Sequence, residues 1–267
     1  MFAAKTLISA LGSMAFTVFP DRSPSLHCST TLRTLTMKLH DATVLITGAN
    51  RGIGLAFARA ALARGARKVY AGARNPASIT LPGVEALQLD VTKPEDVAAA
   101  ARRCGDVTLL INNAGIAVLG DFMAADAIDS ARAHMETNFF GPLRLSQAFA
   151  PVLARHGGGA IVNVLSVASW ICVPMIGVYS ASKSAAWSMT NGLRRELRSQ
   201  HTQVLGLHMG YIDTDMTHGF EVEKMSPDEL VRRTLDALEA GAEEVLADDM
   251  TRQVKQGLSA EPGVYQA

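Results

Sequence analysis

From residue 42 onward, short runs rich in Val, Ile and Leu alternate with Ala-rich stretches whose apolar residues recur at helical spacing. The apolar runs are Thr43 to Thr47, Lys68 to Gly72, Val84 to Leu89, Thr108 to Ile111, Ala160 to Leu165, Gln203 to His208 and Glu244 to Leu246. Runs this short, with no polar face, predict strands of a parallel sheet covered on both sides. The stretches Gly54 to Arg64, Pro94 to Arg102, Ser130 to His156, Val178 to Ser199 and Pro227 to Glu239 predict the covering helices. Together they predict an α/β fold with one doubly wound parallel sheet of about seven strands. Residues 211–226 carry Tyr211, Met216, Phe220 and Met225 among polar positions, which predicts a short flexible flap with an apolar inner face.

Two segments depart from this rhythm. Residues 1–36 hold Lys5, an uncharged stretch from Thr6 to Pro20, and a Ser/Thr-rich tract with Arg22, Arg33 and one acid, Asp21. They are expected to be an N-terminal extension ahead of a domain at 37–267: disordered, a targeting segment, or preceding the true start at Met37. The uncharged stretch from Gly157 to Ser182 is long enough to suggest a membrane span. Its glycine triplet, Asn163, Pro174 and serines predict a strand, a loop and a helix start instead, so no membrane partner is expected.

The 267 residues, 48% hydrophobic and 19% charged, suffice for one sizeable core and exclude a disordered chain. Lys plus Arg and Asp plus Glu both total 25, so no bulk charge draws the protein to nucleic acid. Cys28, Cys104 and Cys172 lie far apart and form neither a disulfide framework nor a zinc pair, which favours a reducing, cytoplasmic setting, with organelle targeting by residues 1–36 as the alternative. His134, His156, His201, His208 and His218 show no ligand spacing with Cys or acids, so no metal is expected. His201 and His208 flank a strand and read as ordinary end residues.

Directly after the first strand comes Thr47-Gly48-Ala49-Asn50-Arg51-Gly52-Ile53-Gly54, followed by an Ala/Leu-rich helix. Strand, glycine turn and helix start form the context of a phosphate-binding loop. Glycines let the backbone approach a pyrophosphate closely, and the helix N-terminus offers unpaired N–H groups. With Gly48, Gly52 and Gly54 at this spacing behind a Thr, the loop resembles that of the short-chain dehydrogenase/reductase family. In dinucleotide sites an acid about 20 residues further on grips the ribose, whereas a cation there accommodates a 2′-phosphate. Here the second strand ends at Ala73 with Arg74 and no acid, and Arg51 is a second cation, so NADP(H) is expected in preference to NAD(H).

Further motifs extend the resemblance over about 38–246. Asp90-Val91 stands at the family's adenine contact, and Asn112-Asn113-Ala114-Gly115 matches its signature after the fourth strand. Tyr179 and Lys183 lie four apart in a helical stretch, hence on one face, where an ammonium would lower the phenol and suit it to proton transfer. Ser166 precedes Tyr179 by the family's thirteen residues, and Asn138 takes the place of the family's relay asparagine. The resemblance implies that Ser166 hydrogen-bonds the substrate oxygen, that Lys183 also contacts the nicotinamide ribose, and that Asn138 holds a relay water. Ile212 and Thr214, within Gly210-Tyr211-Ile212-Asp213-Thr214, would face the nicotinamide carboxamide. Two departures stand out: Met209 occupies the family's usual Pro position, and Leu165 replaces the first Ser of a frequent Ser-Ser pair.

The resulting expectation is a Rossmann-type, NADP(H)-dependent oxidoreductase that interconverts a carbonyl compound and a secondary alcohol. Its catalytic residues would be Asn138, Ser166, Tyr179 and Lys183. Trp170, Ile171, Val173, Met175, Ile176, Tyr211 and Phe220, beside the serine or in the flap, are expected to line a pocket for a small apolar substrate. A non-catalytic dinucleotide sensor on the same fold would be expected to lack Tyr179 or Lys183. The resemblance also implies a homodimer or homotetramer built through the two longest helices.

Overall fold

Seven strands form one wholly parallel sheet: β1 (Thr43–Thr47), β2 (Lys68–Ala73), β3 (Glu85–Gln88), β4 (Leu109–Asn112), β5 (Gly159–Val164), β6 (Thr202–His208) and β7 (Glu244–Leu246). Their spatial order is β3-β2-β1-β4-β5-β6-β7. The chain therefore winds outward from β1 in one direction, returns to the centre, and winds outward in the other. The reversal lies between β1 and β4, where the connections leave opposite faces and open a crevice at the carboxyl ends of the strands. The computed structural model describes residues 37–266, and the expected extension at 1–36 lies outside the described residues.

Among the described residues seven α-helices cover the sheet: α1 (Gly52–Ala63), α2 (Pro94–Arg103), α3 (Ala127–Met135), α4 (Gly141–Arg155), α5 (Gly177–Glu196), α6 (Pro227–Glu239) and α7 (Asp249–Gly257). Because successive strand side chains alternate between faces, Val44, Ile46, Val69, Leu109, Ile111, Val162 and Leu205 share one core with Phe57 of α1 and Leu230 and Leu235 of α6. Leu45, Tyr70, Leu110, Ile161 and Val204 point the other way, against Val97 of α2, Leu145 and Phe149 of α4, and Leu193 of α5. Both faces of the central strands are buried, which is why they read as unbroken apolar runs, whereas the edge strand β3 exposes Glu85, Ala86 and Gln88. Among the described residues no helix is long and apolar enough to cross a membrane. The uncharged stretch after His156 becomes β5, a short turn at Val167–Ser169, a loop and the start of α5.

Two elements differ from expectation. The single helix expected from Ser130 to His156 is α3, a five-residue π turn over Glu136–Phe140, and α4. Pro142 explains the break: it has no N–H to offer the carbonyl four residues back, that of Asn138, and its ring crowds that carbonyl. Helix α7 was not anticipated, because its sequence is polar apart from Met250 and Val254. It forms through an Asp248 cap on Thr251 and through Val254, which packs with Val167 and Trp170 in a third, smaller cluster.

Candidate active site

At the end of β1 the chain turns back through two glycines with positive φ, Gly48 (64°) and Gly52 (53°). A Cβ at Gly54 would lie 2.1 Å from the Gly48 carbonyl oxygen, so the turn closes only around a glycine there. The loop is moored to β4. Asn113 Nδ2 donates to the carbonyls of Thr47 (2.8 Å) and Gly48 (3.2 Å), while Thr47 Oγ accepts from the N–H groups of Asn113 and Ala114 at 3.0 Å each. Helix α1 begins at Gly52 with no side-chain cap and no acid in its first turn. Its leading N–H groups and positive dipole end therefore face the crevice without a protein anion to meet them, which fits a bound pyrophosphate. Asn50 and Ile53 complete this loop. Asn112 takes a different part: its amide donates to Asn163 Oδ1 at 2.8 Å and ties β4 to β5 below the crevice.

Across the crevice, α5 carries Tyr179 and Lys183 on one face, with Lys183 Nζ 5.7 Å from the phenol ring centre. Lys183 is 6% exposed and donates to the Val164 carbonyl at the end of β5 (2.8 Å). Ser166, two residues beyond β5, caps the turn at Val167–Ser169, its Oγ accepting from Ala168 N at 3.1 Å. Asn138 lies within the π turn, where its amide pairs with both backbone groups of Ile116 (2.9 Å each) and donates to Ser182 Oγ on α5 (2.9 Å). A Cβ on Gly115 would sit 3.2 Å from Asn138 Oδ1 and 3.8 Å from Lys183 Nζ, so Gly115 lets these two groups approach each other. The four residues that the resemblance nominates thus converge from β5, α5 and the π turn.

Electrostatics departs from the sequence-based expectation. Burial pushes the Tyr179 phenol above its ordinary value, opposed by a hydrogen bond with the Ser166 side chain. Lys183 does not lower it here, because the same burial weakens the ammonium itself, bringing it down to about 8. Burial also opposes ionisation of Asp90, but two hydrogen bonds from Thr92 and nearby Lys93 and Arg74 outweigh it and lower the carboxyl. Val91, next to Asp90, is buried and lies where a Cβ on Gly141 would touch it at 2.8 Å.

The two cations differ in placement. Arg74, just past β2, is exposed and makes no hydrogen bond or ion pair among the described residues. Arg51 reaches over the crevice to Asp215 (2.8 Å), both side chains being more than two-thirds exposed. Thr214 approaches the glycine loop from the same side, within 3.4 Å of where a Gly52 Cβ would stand. The segment 211–226 is pinned at its ends by a bridge between Ile212 and Met225, and Tyr211 packs on Phe220 at 5.5 Å between ring centres. Met209 is buried, and its carbonyl accepts from Val167 N at 2.9 Å. Leu165 is buried under Gly206.

Trp170 does not join this mouth. Its indole is stacked on His208 at 3.9 Å and edge-on to Trp187, inside the third cluster. The reason is directional: the turn after Ser166 rolls Trp170 toward α7. Met175, by contrast, stands at the opening, 54% exposed with φ 66°. Its carbonyl accepts from Gly120 N (2.7 Å) and its N–H donates to Asp121 Oδ1 (3.0 Å). This clasp brings in residues that sequence reasoning missed, Leu119 and Phe122, both 56% exposed. Phe122 lies against Gly177, two residues before Tyr179. Only the Gly177 gap in the helix start hinted at such a neighbour.

A family model for short chain dehydrogenase matches residues 42–224. The chain belongs to the short-chain dehydrogenase/reductase family. A short chain dehydrogenase from Burkholderia cenocepacia, crystallised in complex with NADP, superposes on it with a TM-score of 0.81 at 42% identity, over 85% of this chain and 96% of that one. Gluconate 5-dehydrogenase of Gluconobacter oxydans is 36% identical over 73% of this chain and 81% of its own length. Dehydrogenase/reductase SDR family member 7B of Bos taurus is 34% identical over 67% of this chain, which spans only 60% of the bovine protein.

For this dehydrogenase/reductase the buried lysine has a measurable consequence. Between about 8, its folded value, and its ordinary 10.5, the unfolded chain holds a proton that the folded protein has lost. The stability of cofactor-free wild type relative to Lys183→Met should therefore rise with pH through that window and stay level below it. Paired thermal melts across the window check this.

Proposed function

We propose that this protein is an NADP(H)-dependent oxidoreductase interconverting a carbonyl compound and a secondary alcohol. The observation that carries the reading is the convergence of Ser166, Tyr179 and Lys183 beside a helix N-terminus without cap or acid, at the sheet's reversal point. The nicotinamide, when bound, supplies or accepts the hydride. Gly48, Asn50, Gly52, Ile53 and Gly54 would hold the pyrophosphate, Asp90 and Val91 the adenine, and Asn113, Ala114 and Gly115 the floor beneath the cofactor. Ile212 and Thr214 would take the carboxamide, and Lys183 the ribose hydroxyls.

The Tyr179 hydroxyl exchanges the proton at the substrate oxygen, and Ser166 Oγ donates a second hydrogen bond to that oxygen as charge builds on it. The burial that raises the phenol keeps it protonated, the form that reduction of a carbonyl consumes. Asn138, whose carbonyl receives no N–H from Pro142, holds the relay water behind Lys183. Leu119, Phe122, Met175, Tyr211 and Phe220 favour an apolar substrate.

The preference for NADP(H) rests on Arg51 and Arg74 and on the absence of a carboxylate at the end of β2. It is supported by the NADP held in the Burkholderia relative. The exposed Arg51–Asp215 pair is weak enough to be exchanged for a phosphate. The protein would act as a homodimer or homotetramer through α4 and α5, where small residues Ala185, Ser188 and Gly192 leave a groove of about 400 Å³ beside Phe139 and Leu143.

Three outcomes are expected. Tyr179→Phe lowers NADPH-dependent reduction by about a hundredfold or more, followed as loss of reduced-nicotinamide absorbance over a panel of ketones, aldehydes and quinones. Arg51→Ala and Arg74→Ala each raise the KM for NADPH by about tenfold and leave that for NADH nearly unchanged. Met189→Glu on the α5 face yields a monomer by light scattering where wild type is a dimer or tetramer.

A further inference from the structure

His208 closes β6 in the sequence pattern and has no part in the chemistry above. It is fully buried, and three elements meet on its ring. Trp170 stacks on it at 3.9 Å with the planes 18° apart. Its Nδ1 lies 3.2 Å from the carbonyl oxygen of Ser166. Its Nε2 faces Glu244 Oε1 at 3.7 Å, beyond hydrogen-bond reach, and has no other partner. Lys255 of α7 grips both oxygens of Glu244, at 2.7 and 2.6 Å, and its Nζ lies 5.0 Å from the Trp170 ring centre.

These contacts select one tautomer. A carbonyl oxygen only accepts, so the contact to Ser166 is a hydrogen bond only when Nδ1 carries the proton. Glu244 would favour the opposite tautomer, with the proton on Nε2. Lys255 offsets that pull by neutralising the carboxylate. Burial, the first cause, holds the imidazolium down to about 4, so the ring is neutral at neutral pH.

Ser166 is held by its own turn and, through its neighbours' backbone, by the end of β6: Leu165 N donates to the Leu207 carbonyl (2.8 Å) and Val167 N to the Met209 carbonyl (2.9 Å). Within the turn, the Ser166 N–H donates to Ser169 Oγ, its Oγ accepts from Ala168 N, and its carbonyl accepts from Ser169 N (3.0 Å). Among the described residues His208 adds a side-chain anchor on the carbonyl of this peptide, whose N–H is already held by Met209.

We propose that His208 is a positioning residue: by donating from Nδ1 to the Ser166 carbonyl it fixes the direction in which Ser166 Oγ faces Tyr179, with Lys255 and Glu244 holding its tautomer. The proposal rests on the reading of Ser166 as the second donor to the substrate oxygen, and the variants separate the two.

In full-length protein with NADPH and a turned-over carbonyl, His208→Phe keeps an aromatic ring on Trp170 and removes the donor. It should lower kcat by about ten- to a hundredfold, the scale of a misplaced catalytic group, with the Kd for NADPH unchanged. His208→Asn places an amide donor where Nδ1 stood and should recover most of the loss. His208→Gln places its donor toward Glu244 and should not.

Introduced into Ser166→Ala, His208→Phe should cost nothing further, since the group it positions is gone. Heteronuclear NMR of the wild-type imidazole nitrogens should show the Nδ1–H tautomer. An Nε2–H tautomer, wild-type kcat in His208→Phe, equal kcat in the Asn and Gln variants, or an undiminished loss in the Ser166→Ala background would each overturn the positioning role. If Ser166→Ala alone keeps full kcat, the reading of Ser166 fails and the proposal with it. Should His208→Phe not fold, the Asn and Gln comparison carries the decision.

Discussion

The amide of Asn113 holds the carbonyls of Thr47 and Gly48, and the rest of the site depends on that bond pair. It joins the ends of β1 and β4, the two strands between which the sheet reverses its winding. Without it the carbonyls of Thr47 and Gly48 would lose their side-chain donor, and the turn would be held by Ala49 N on the Gly72 carbonyl and by the bonds into Thr47 Oγ. With it, the uncapped start of α1 is aimed at the same crevice that receives Tyr179 and Lys183 from α5. The reciprocal bonds into Thr47 Oγ hold the N–H groups of Asn113 and Ala114 at the same corner. Rigidity here therefore comes from saturated hydrogen bonding rather than from apolar packing.

Burial sets the chemistry on the opposite wall. Lys183 has a carbonyl partner and no carboxylate, so removal from water lowers its ammonium while raising the neighbouring phenol. Burial thus biases both groups toward their neutral forms. The π turn is equally purposeful in physical terms. Pro142 interrupts the helical ladder at the carbonyl of Asn138, while the side chain of the same residue is fully used by Ile116 and Ser182. The side chain of Asn138 is thus committed to structure, while Pro142 withholds the N–H that its carbonyl would receive in an α-helix.

The C-terminal part of the chain closes the molecule behind the serine. Helix α7 contributes little apolar area, yet Lys255 reaches Glu244 and the Trp170 face, and His208 lies between them and Ser166. The site thus has two supports of different kinds: a backbone-saturating knot under the cofactor crevice, and a buried aromatic and ionic stack under the serine. Arg51 and Asp215, by contrast, meet across the crevice in water, where an ion pair contributes little.

Strand positions, the glycine turn, and the order and spacing of Asn138, Ser166, Tyr179 and Lys183 were legible from the sequence, because each follows from local periodicity or from a motif's own geometry. The break between α3 and α4 was written there too, in Pro142, but a continuous apolar period masked it. Trp170, His208 and the Leu119, Phe122 and Met175 mouth were not legible. Their surroundings come from residues 38, 36 and 54 positions away in the chain: His208 for Trp170, Glu244 for His208, and Asp121 for Met175. The sequence by itself determined which backbone conformations and which reactive groups exist. Only the tertiary structure decided which groups lose their water and which partners they meet, since burial and long-range contact depend on how the elements pack and not on any segment alone.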